Sequence, residues 1–454
     1  RQVCGDERLR MPDGSFPLFT DNCGVFGVHS PDGCVKDLYY GLFNLQHRGQ
    51  KFCGISTSDG GRIKSMTHEG LVRHSFMSYD LERLEGSFGI GHVSLRDPQP
   101  IVLDSKTGKF ALAYSGNLIN SAELRKKLLD KGHSFSTGSD VEVVAKLVGE
   151  GQDIEDGIEK MMEQVKGSYS LLILNKDDLY AVRDPYAFKP LVLGGSERGW
   201  AVSSESCAIN FIKMRLVRDV EPGEIVHIGE DGIRSVKKLG SKRKAHCAFE
   251  WGYFARYDSI IDGVSVREAR NRLGGKLAEG DEVNADKVSS IPMSGIGYAL
   301  GYHRRSGIPY DEVYLYNRYS DRSYTPLEQA VRDGIADEKL SVIVEAVKGQ
   351  KIILCDDSIV RGTQIRNKVK ELMAAGAKEV HVRIGCPPLI APCRYGISTR
   401  SYEELTARKH SIDEIRRRIG AKTLKYNALE DFVEGIGLRE DSLCLACWTG
   451  EYPL

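Results

Sequence analysis

Apolar residues recur along this chain in two different rhythms. From Cys23 to about Ile228, short apolar runs dominate, among them Gly24-Val25-Phe26-Gly27-Val28, Phe110-Ala111-Leu112-Ala113-Tyr114 and Tyr169-Ser170-Leu171-Leu172-Ile173-Leu174. Runs of that length, bounded by turn residues, predict strands with short helices between them. From Cys247 onward, strand-like runs alternate with longer helical patterns, which predicts an α/β unit. Residues 1–22 hold Pro12, Gly14 and Pro17 without periodicity and read as a loose leader. The chain thus divides into a leader, a β-rich domain over 23–245 and an α/β domain over 246–454. Asn120…Glu123, Ser265…Glu268, Ser401…Glu404 and Ser411…Glu414 each fit a capping box at a helix start. Glu221-Pro222-Gly223-Glu224 predicts a turn, and the charged stretch Lys237–Lys244 a solvated connection. There is no internal repeat and no low-complexity tract.

One stretch concentrates chemistry. Lys351–Pro388 opens with the apolar run Ile352-Ile353-Leu354, which leads into the adjacent carboxylates Asp356 and Asp357. A short loop, Ser358-Ile359-Val360-Arg361-Gly362-Thr363, follows. Ile365, Val369, Leu372, Met373 and Gly376 then fall at helical spacing, and Val380, Val382 and Ile384 alternate as a strand. This is a strand–loop–helix–strand unit of the βαβ kind. Its loop lies where a helix N-terminus and free backbone N–H groups hold phosphate. Paired aspartates at the C-terminal end of the strand suit Mg²⁺ or ribose hydroxyls. Together these features predict a pocket for a sugar phosphate that brings magnesium. Upstream, Ile291-Pro292-Met293-Ser294-Gly295-Ile296-Gly297 is a small-residue loop before a predicted helix, Tyr298–Arg305, and can bring N–H groups close to pyrophosphate.

Composition narrows the class. The 454 residues carry 63 Lys+Arg against 63 Asp+Glu, so no charge excess points to nucleic acid or a membrane surface. No apolar stretch approaches the roughly 20 residues that span a bilayer. The first residues are polar and charged, unlike a secretory signal. Eleven cysteines without such a signal read as thiols, metal ligands or nucleophiles rather than a disulfide framework. The reading is a cytoplasmic enzyme. Cys23 stands at the start of an apolar strand. Removal of residues 1–22 would give it an α-amino group with a pKa of about 8, a base suited to activating the thiol. Cys444-Leu-Ala-Cys447, taken alone, is a zinc half-site, a redox pair or chance. With Cys247 and Cys393 it makes four thiolates, enough for Zn²⁺ or a [4Fe–4S] cluster.

These residues carry a resemblance. Cys23-Gly-Val-Phe-Gly, Leu45-Gln46-His47-Arg48-Gly49-Gln50, Gly91-His92, Gly116-Asn117-Leu118, Ser139-Asp140, Arg183-Asp184-Pro185 and Ser204-Glu205-Ser206-Cys207 are similar to the class II glutamine amidotransferase domain. Asp356-Asp357-Ser358-Ile359-Val360-Arg361-Gly362-Thr363 resembles the phosphoribosyltransferase signature. The contexts of Cys247, Cys393, Cys444 and Cys447 resemble cluster-ligand positions of bacterial members of one family that joins both halves, the amidophosphoribosyltransferases. The resemblance implies an α+β N-terminal-nucleophile domain followed by an α/β type I phosphoribosyltransferase domain. It implies that glutamine, phosphoribosyl pyrophosphate (PRPP) and water give 5-phosphoribosylamine, pyrophosphate and glutamate, at the opening of purine synthesis. Cys23 would attack the glutamine amide, Gly116 would donate a backbone N–H to the oxyanion, and Asp140 would hold the substrate's α-amino group. Asp356, Asp357 and Ser294 would hold Mg²⁺ and PRPP, the loop Ser358–Thr363 its 5′-phosphate, and Arg318 in the segment Asn317–Arg322 the leaving pyrophosphate. The four cysteines would hold a structural [4Fe–4S] cluster, with structural Zn²⁺ as the alternative. A homo-oligomer, tetramer or dimer, inhibited by purine nucleotides would follow as well.

The sequence departs from the family at several points. The arginine that clamps the glutamine carboxylate is displaced by two places, to Arg96. Ser115 stands where an asparagine side chain completes the oxyanion hole, Asn22 precedes Cys23 where an acidic residue is common, Met293 replaces an aspartate, and Asp321 a glycine. Two rivals follow: a glutaminase-impaired relative that uses free ammonia, and a regulator that binds PRPP or nucleotides without turnover.

Overall fold

The computed structural model describes residues 23–240, 243–317, 340–396 and 401–454. The expected leader and Arg318 lie outside them. The first half builds two antiparallel sheets. Their strands are β1 (Gly24–His29), β2 (Phe52–Asp59), β3 (Arg62–Glu69), β4 (Phe88–Ser94), β5 (Ile101–Ser105), β6 (Gly108–Leu118), β7 (Gly167–Asn175), β8 (Asp178–Arg183), β9 (Val192–Ser196), β10 (Gly199–Ser203), β11 (Arg215–Asp219), β12 (Glu224–Gly229) and β13 (Gly232–Lys238). One sheet runs β11-β9-β10-β1-β4-β2-β3, the other β13-β12-β8-β7-β6-β5. Val25, Ile90, Ala113 and Leu172 pack between the sheets. Phe26 and Val28 face outward onto Leu38 and Leu42 of helix α1 (Val35–Asn44). Leu112, Tyr114, Leu171 and Ile173 face outward onto α2 (Asp140–Gly149) and α3 (Ile154–Gln164). The result is four layers, helix–sheet–sheet–helix. Because β1, β4 and most of β6 and β7 are covered on both faces, their sequences read as continuous apolar runs rather than alternation.

The second half begins with β14 (His246–Cys247) and builds a parallel sheet. Its strands β15 (Lys287–Ser290), β16 (Lys351–Asp356), β17 (Glu379–Ile384) and β18 (Thr423–Tyr426) lie side by side in that order. Ile352 and Leu354 face α6 (Thr363–Ala374) and α7 (Ile412–Ile419), while Ile353 and Cys355 face α4 (Val266–Ala278) and α5 (Ile296–Ser306). The expected helix Tyr298–Arg305 is α5, slightly longer at both ends. The chain ends by returning: β19 (Leu443–Cys444) pairs in parallel with β14, setting Cys444 beside Cys247. No helix among the described residues is long and apolar enough to cross a membrane.

The predicted caps form unequally. Ser411 and Glu414 make the full reciprocal box on α7. Ser265 accepts the Glu268 N–H, but the Glu268 carboxylate turns to Arg267. Asn120 does not cap its own helix; its amide accepts from Lys166 N–H and donates to Gln164 O, bonds that pin the approach to β7. Ser401 precedes only a single short turn, Tyr402–Glu404, and makes no cap bond.

Buried charge joins the halves. Arg48 reaches both Glu205 and Glu250, and Glu205 also takes His47 (2.6 Å), Ser259 Oγ (2.7 Å) and the Arg256 N–H (2.8 Å). Burial would raise the Glu205 carboxyl, and Arg48 and His47 outweigh it, holding it well below the usual range. Arg183 grips Asp262 with two bonds of 2.8 Å.

Candidate functional site

At the C-terminal end of β16 the two carboxylates lie side by side. Asp356 Oδ1 accepts from Ser294 Oγ (2.7 Å) and from the Asp357 N–H (2.9 Å), and Asp357 Oδ2 accepts from Ser358 Oγ (2.9 Å). Burial and the neighbouring Asp357 push the Asp356 carboxyl well up; burial pushes Asp357 up as well, against the pull of Arg270. Two crowded carboxyls with raised pKa values fit a divalent cation or hydroxyl donors. Ser294 reaches them because Gly295 packs on the strand end, where a Cβ would lie 2.1 Å from Cys355 O. That places the Ile291–Gly297 loop beside the doublet.

The loop after the doublet is built from backbone. Gly362 sits at the start of α6 with φ +81°, and no side chain caps this helix. Among the described residues, no hydrogen bond engages the N–H groups of Val360, Arg361, Gly362 and Thr363. They form an anion cradle at a helix N-terminus. The Ile359 side chain is buried with Ile365 and Ile419, so only its backbone can serve a ligand. Arg361 is largely exposed and pairs with Glu404.

In the first half, Cys23 is buried immediately before β1, and its carbonyl accepts from Ser115 Oγ (3.0 Å). Gly116 pairs with Tyr169 in register, yet Tyr169 spends both its backbone groups on Asp184. The Gly116 N–H therefore points to the opposite edge of β6. There Tyr114 N–H is taken by Gln99 and Leu118 N–H by Asp140 Oδ2 (2.9 Å), which leaves Gly116 as the donor between them with no partner among the described residues. Asp140, whose carboxyl burial pushes up, stands two residues along the same edge. His92 donates its Nε2–H to Tyr114 O (3.0 Å), and burial drives its pKa down to about 3, so the ring stays neutral. Arg96 lies partly buried in the bend after β4. Ser94 ends β4, one step past the Gly24–Val93 pair and so alongside Cys23, with its hydroxyl turned to Asp97 O.

Cys247, Cys393, Cys444 and Cys447 line one cavity together with Phe188 and Lys189. Three segments far apart in sequence bring these thiols together. The β14–β19 pair joins the Cys247 and Cys444–Cys447 segments, and the N–H groups of Ile390 and Ala391 on Cys447 O bring the Cys393 segment beside them. A hydrogen bond to Cys393, burial and the other thiols push Cys447 well up; burial pushes Cys444 up to about 12. Among the described residues, no three His, Cys, Asp or Glu side chains are arranged to hold a single metal ion. Cys34, Cys53, Cys207, Cys355 and Cys386 are buried elsewhere.

Sequence reasoning missed three groups. Glu205 appeared only as part of a motif, without its role between the halves. Arg270 is buried, donates to the carbonyls of Trp251, Tyr253 and Ala255, and acts on Asp357. Lys189 is buried against the thiol cavity. Arg270 falls on the apolar face of α4 with Val266, Ala269 and Leu273, which was its available signal; Lys189 lies in a loop and gave none.

Comparison with known proteins adds three findings. Residues 70–210 match the model of a glutamine amidotransferase domain. The chain is 43% identical over 450 residues to the amidophosphoribosyltransferase of Archaeoglobus fulgidus, covering 95% of this chain and 98% of that one, and 39% identical to that of Bacillus subtilis, covering 95% and 94%. It is also similar to the solved glutamine PRPP amidotransferase from B. subtilis complexed with ADP and GMP, at TM-score 0.89 and 39% identity, covering 95% of this chain and 97% of that one.

Proposed function

The chain belongs to the amidophosphoribosyltransferase family, and on that premise we propose how its residues divide the work. It is a glutamine-dependent pentosyltransferase of purine synthesis: glutamine, PRPP and water give 5-phosphoribosylamine, pyrophosphate and glutamate. In our reading, removal of residues 1–22 makes Cys23 terminal, and its amino group takes the thiol proton. The thiolate attacks the side-chain amide of glutamine, and the Gly116 N–H faces the developing oxyanion. Asp140 holds the substrate's α-amino group and Arg96 its carboxylate. Ser115, bound to the Cys23 carbonyl, fixes the nucleophile's backbone. Ammonia passes between the halves, shielded from water, and displaces pyrophosphate from PRPP.

Asp356, Asp357 and Ser294 would hold Mg²⁺, which neutralises pyrophosphate charge. The N–H groups from Val360 to Thr363, with Ser358 and Arg361, receive the 5′-phosphate. The observation that carries this reading is the crowded acidic doublet set directly before a row of unengaged amides. The four-thiol cavity we assign to a [4Fe–4S] cluster. The likeness of the Cys247, Cys393, Cys444 and Cys447 contexts to cluster-ligand positions of the family supports this over a single structural Zn²⁺. Iron, sulfide and zinc analysis of anaerobically isolated protein decides between them, and zinc alone would reverse the assignment. The relative's complex with ADP and GMP supports inhibition by purine nucleotides. We read the enzyme as a cytoplasmic homo-oligomer, tetramer or dimer. The decisive assay compares pyrophosphate release with glutamine and with an ammonium salt. Turnover on ammonium alone would replace this reading with the glutaminase-impaired one that Ser115 and Arg96 motivate.

A further inference from the structure

The loop that carries Cys393 into the thiol cavity continues onto the strand that carries Gly116. Asn117 Nδ2 donates to Arg394 O (2.9 Å). Ser168 Oγ donates to Tyr395 O (2.7 Å) and accepts the Asn117 N–H (3.3 Å). Lys189 Nζ donates to Gly396 O (3.2 Å). Gly396 holds φ +93°, and a Cβ there would come within 3.4 Å of the Gly116 carbonyl carbon. At the other end of the same four residues, Cys393 Sγ accepts the Tyr395 N–H (3.2 Å), and the Tyr395 ring stacks on Phe188 of the cavity wall at 4.1 Å. Four residues therefore span from a cavity thiol to the edge of the oxyanion glycine.

Glycine has the least intrinsic hold on its own backbone. An oxyanion donor must nonetheless stand about 2.7–3.1 Å from its target, and a 1 Å misplacement costs about 10²-fold in rate. The restraint on Gly116 comes from the next residue, Asn117, whose amide side chain and N–H both lead to the Cys393–Gly396 segment. We propose that this segment is a strut through which the thiol cavity sets the position of the Gly116 N–H, with Asn117 and Ser168 as positioning residues. The proposal rests on the reading of Cys23 and Gly116 as the glutamine site and adds a dependence of that site on the cavity's ligation.

The test is Asn117→Ala in full-length, anaerobically isolated protein. Glutamine-dependent kcat falls at least about tenfold, the KM for glutamine stays within about twofold, and the ammonia-dependent rate is unchanged. The substitution also removes the bond that holds Arg394 O, next to Cys393, so bound metal is lost to excess chelator several-fold faster. A merely structural role would lower both rates together. Equal losses, a glutamine rate within twofold of the unaltered protein, or unchanged metal release overturns the strut. Ser168→Ala, which removes one hydroxyl, decides the matter if Asn117→Ala does not fold. Should Cys23→Ala retain glutamine turnover, it is the underlying site assignment that fails; should it abolish turnover while Asn117→Ala does not, only the strut fails.

Discussion

A Cβ on Gly116 would lie 2.0 Å from the carbonyl oxygen of Ser168, so the strand tolerates no side chain at an edge amide that has no partner among the described residues. The proposed nucleophile, Cys23, is by contrast separable from the fold. Cys23→Ala abolishes glutamine-dependent product formation and leaves ammonia-dependent formation intact, as measured by pyrophosphate release with each nitrogen source. Loss of both would contradict two separate sites. Asp357→Asn removes one of the two crowded carboxylates and abolishes turnover from either source; PRPP binding by calorimetry falls with it, and unchanged turnover would remove the metal-pocket assignment. At this scale the sequence was legible where chemistry is local. DDSIVRGT announces its own carboxylates, glycine and helix start. It was not legible where roles depend on register. That Ser115 turns to the Cys23 carbonyl, and that Gly116 escapes pairing because Tyr169 is engaged by Asp184, follow from partners dozens of residues away.

The elements were predicted where their periodicity is self-contained. The unit β16–α6–β17 formed as read, because Ile352 and Leu354 meet α6 through the spacing the sequence shows. The caps show the limit: Ser411 finds its partner three residues on, whereas Asn120 finds better ones forty-four and forty-six residues away. The doublet and the preceding loop come together through one close approach, which makes it testable. Gly295→Ala forces a Cβ against the Cys355 carbonyl and moves Ser294 off Asp356. PRPP affinity should drop about tenfold, a loss of about 1.4 kcal/mol, in equilibrium binding with Mg²⁺ present. An unaltered affinity would separate Ser294 from the ligand.

Across the whole molecule, the division into two architectures was visible from the change of rhythm near residue 246, but the bonds between them were not. Arg183 and Asp262 are seventy-nine residues apart, and the buried guanidinium meets a partly buried carboxylate. Asp262→Ala strands the Arg183 guanidinium and should cost about 3–5 kcal/mol, read as a lowered unfolding midpoint in denaturant. Burial would raise the Asp262 carboxyl, yet Arg183 outweighs it and holds the group down, as Arg48 and His47 hold Glu205. Their folded pKa values lie below the unfolded carboxylate value of about 4. Their stabilisation is thus present above that pH and lost as acid titrates them below it. Thermal unfolding followed from pH 7 to pH 3 should show this fall, and Asp262→Asn should flatten it. Burial also shields these pairs from screening, so added salt should leave them nearly untouched.

Glu205 gives this arrangement its practical edge. Its counter-ions and donors come from both sides of the divide: His47 and Arg48 on one, Arg256 and Ser259 on the other. A gene severed between codons 245 and 246 would leave Glu205 its cations but strip its two donors, part Arg183 from Asp262, and part Glu250 from Arg48. Neither would be a free-standing glutaminase or a free-standing ribosylating enzyme, and only remixing the pieces would restore either trade.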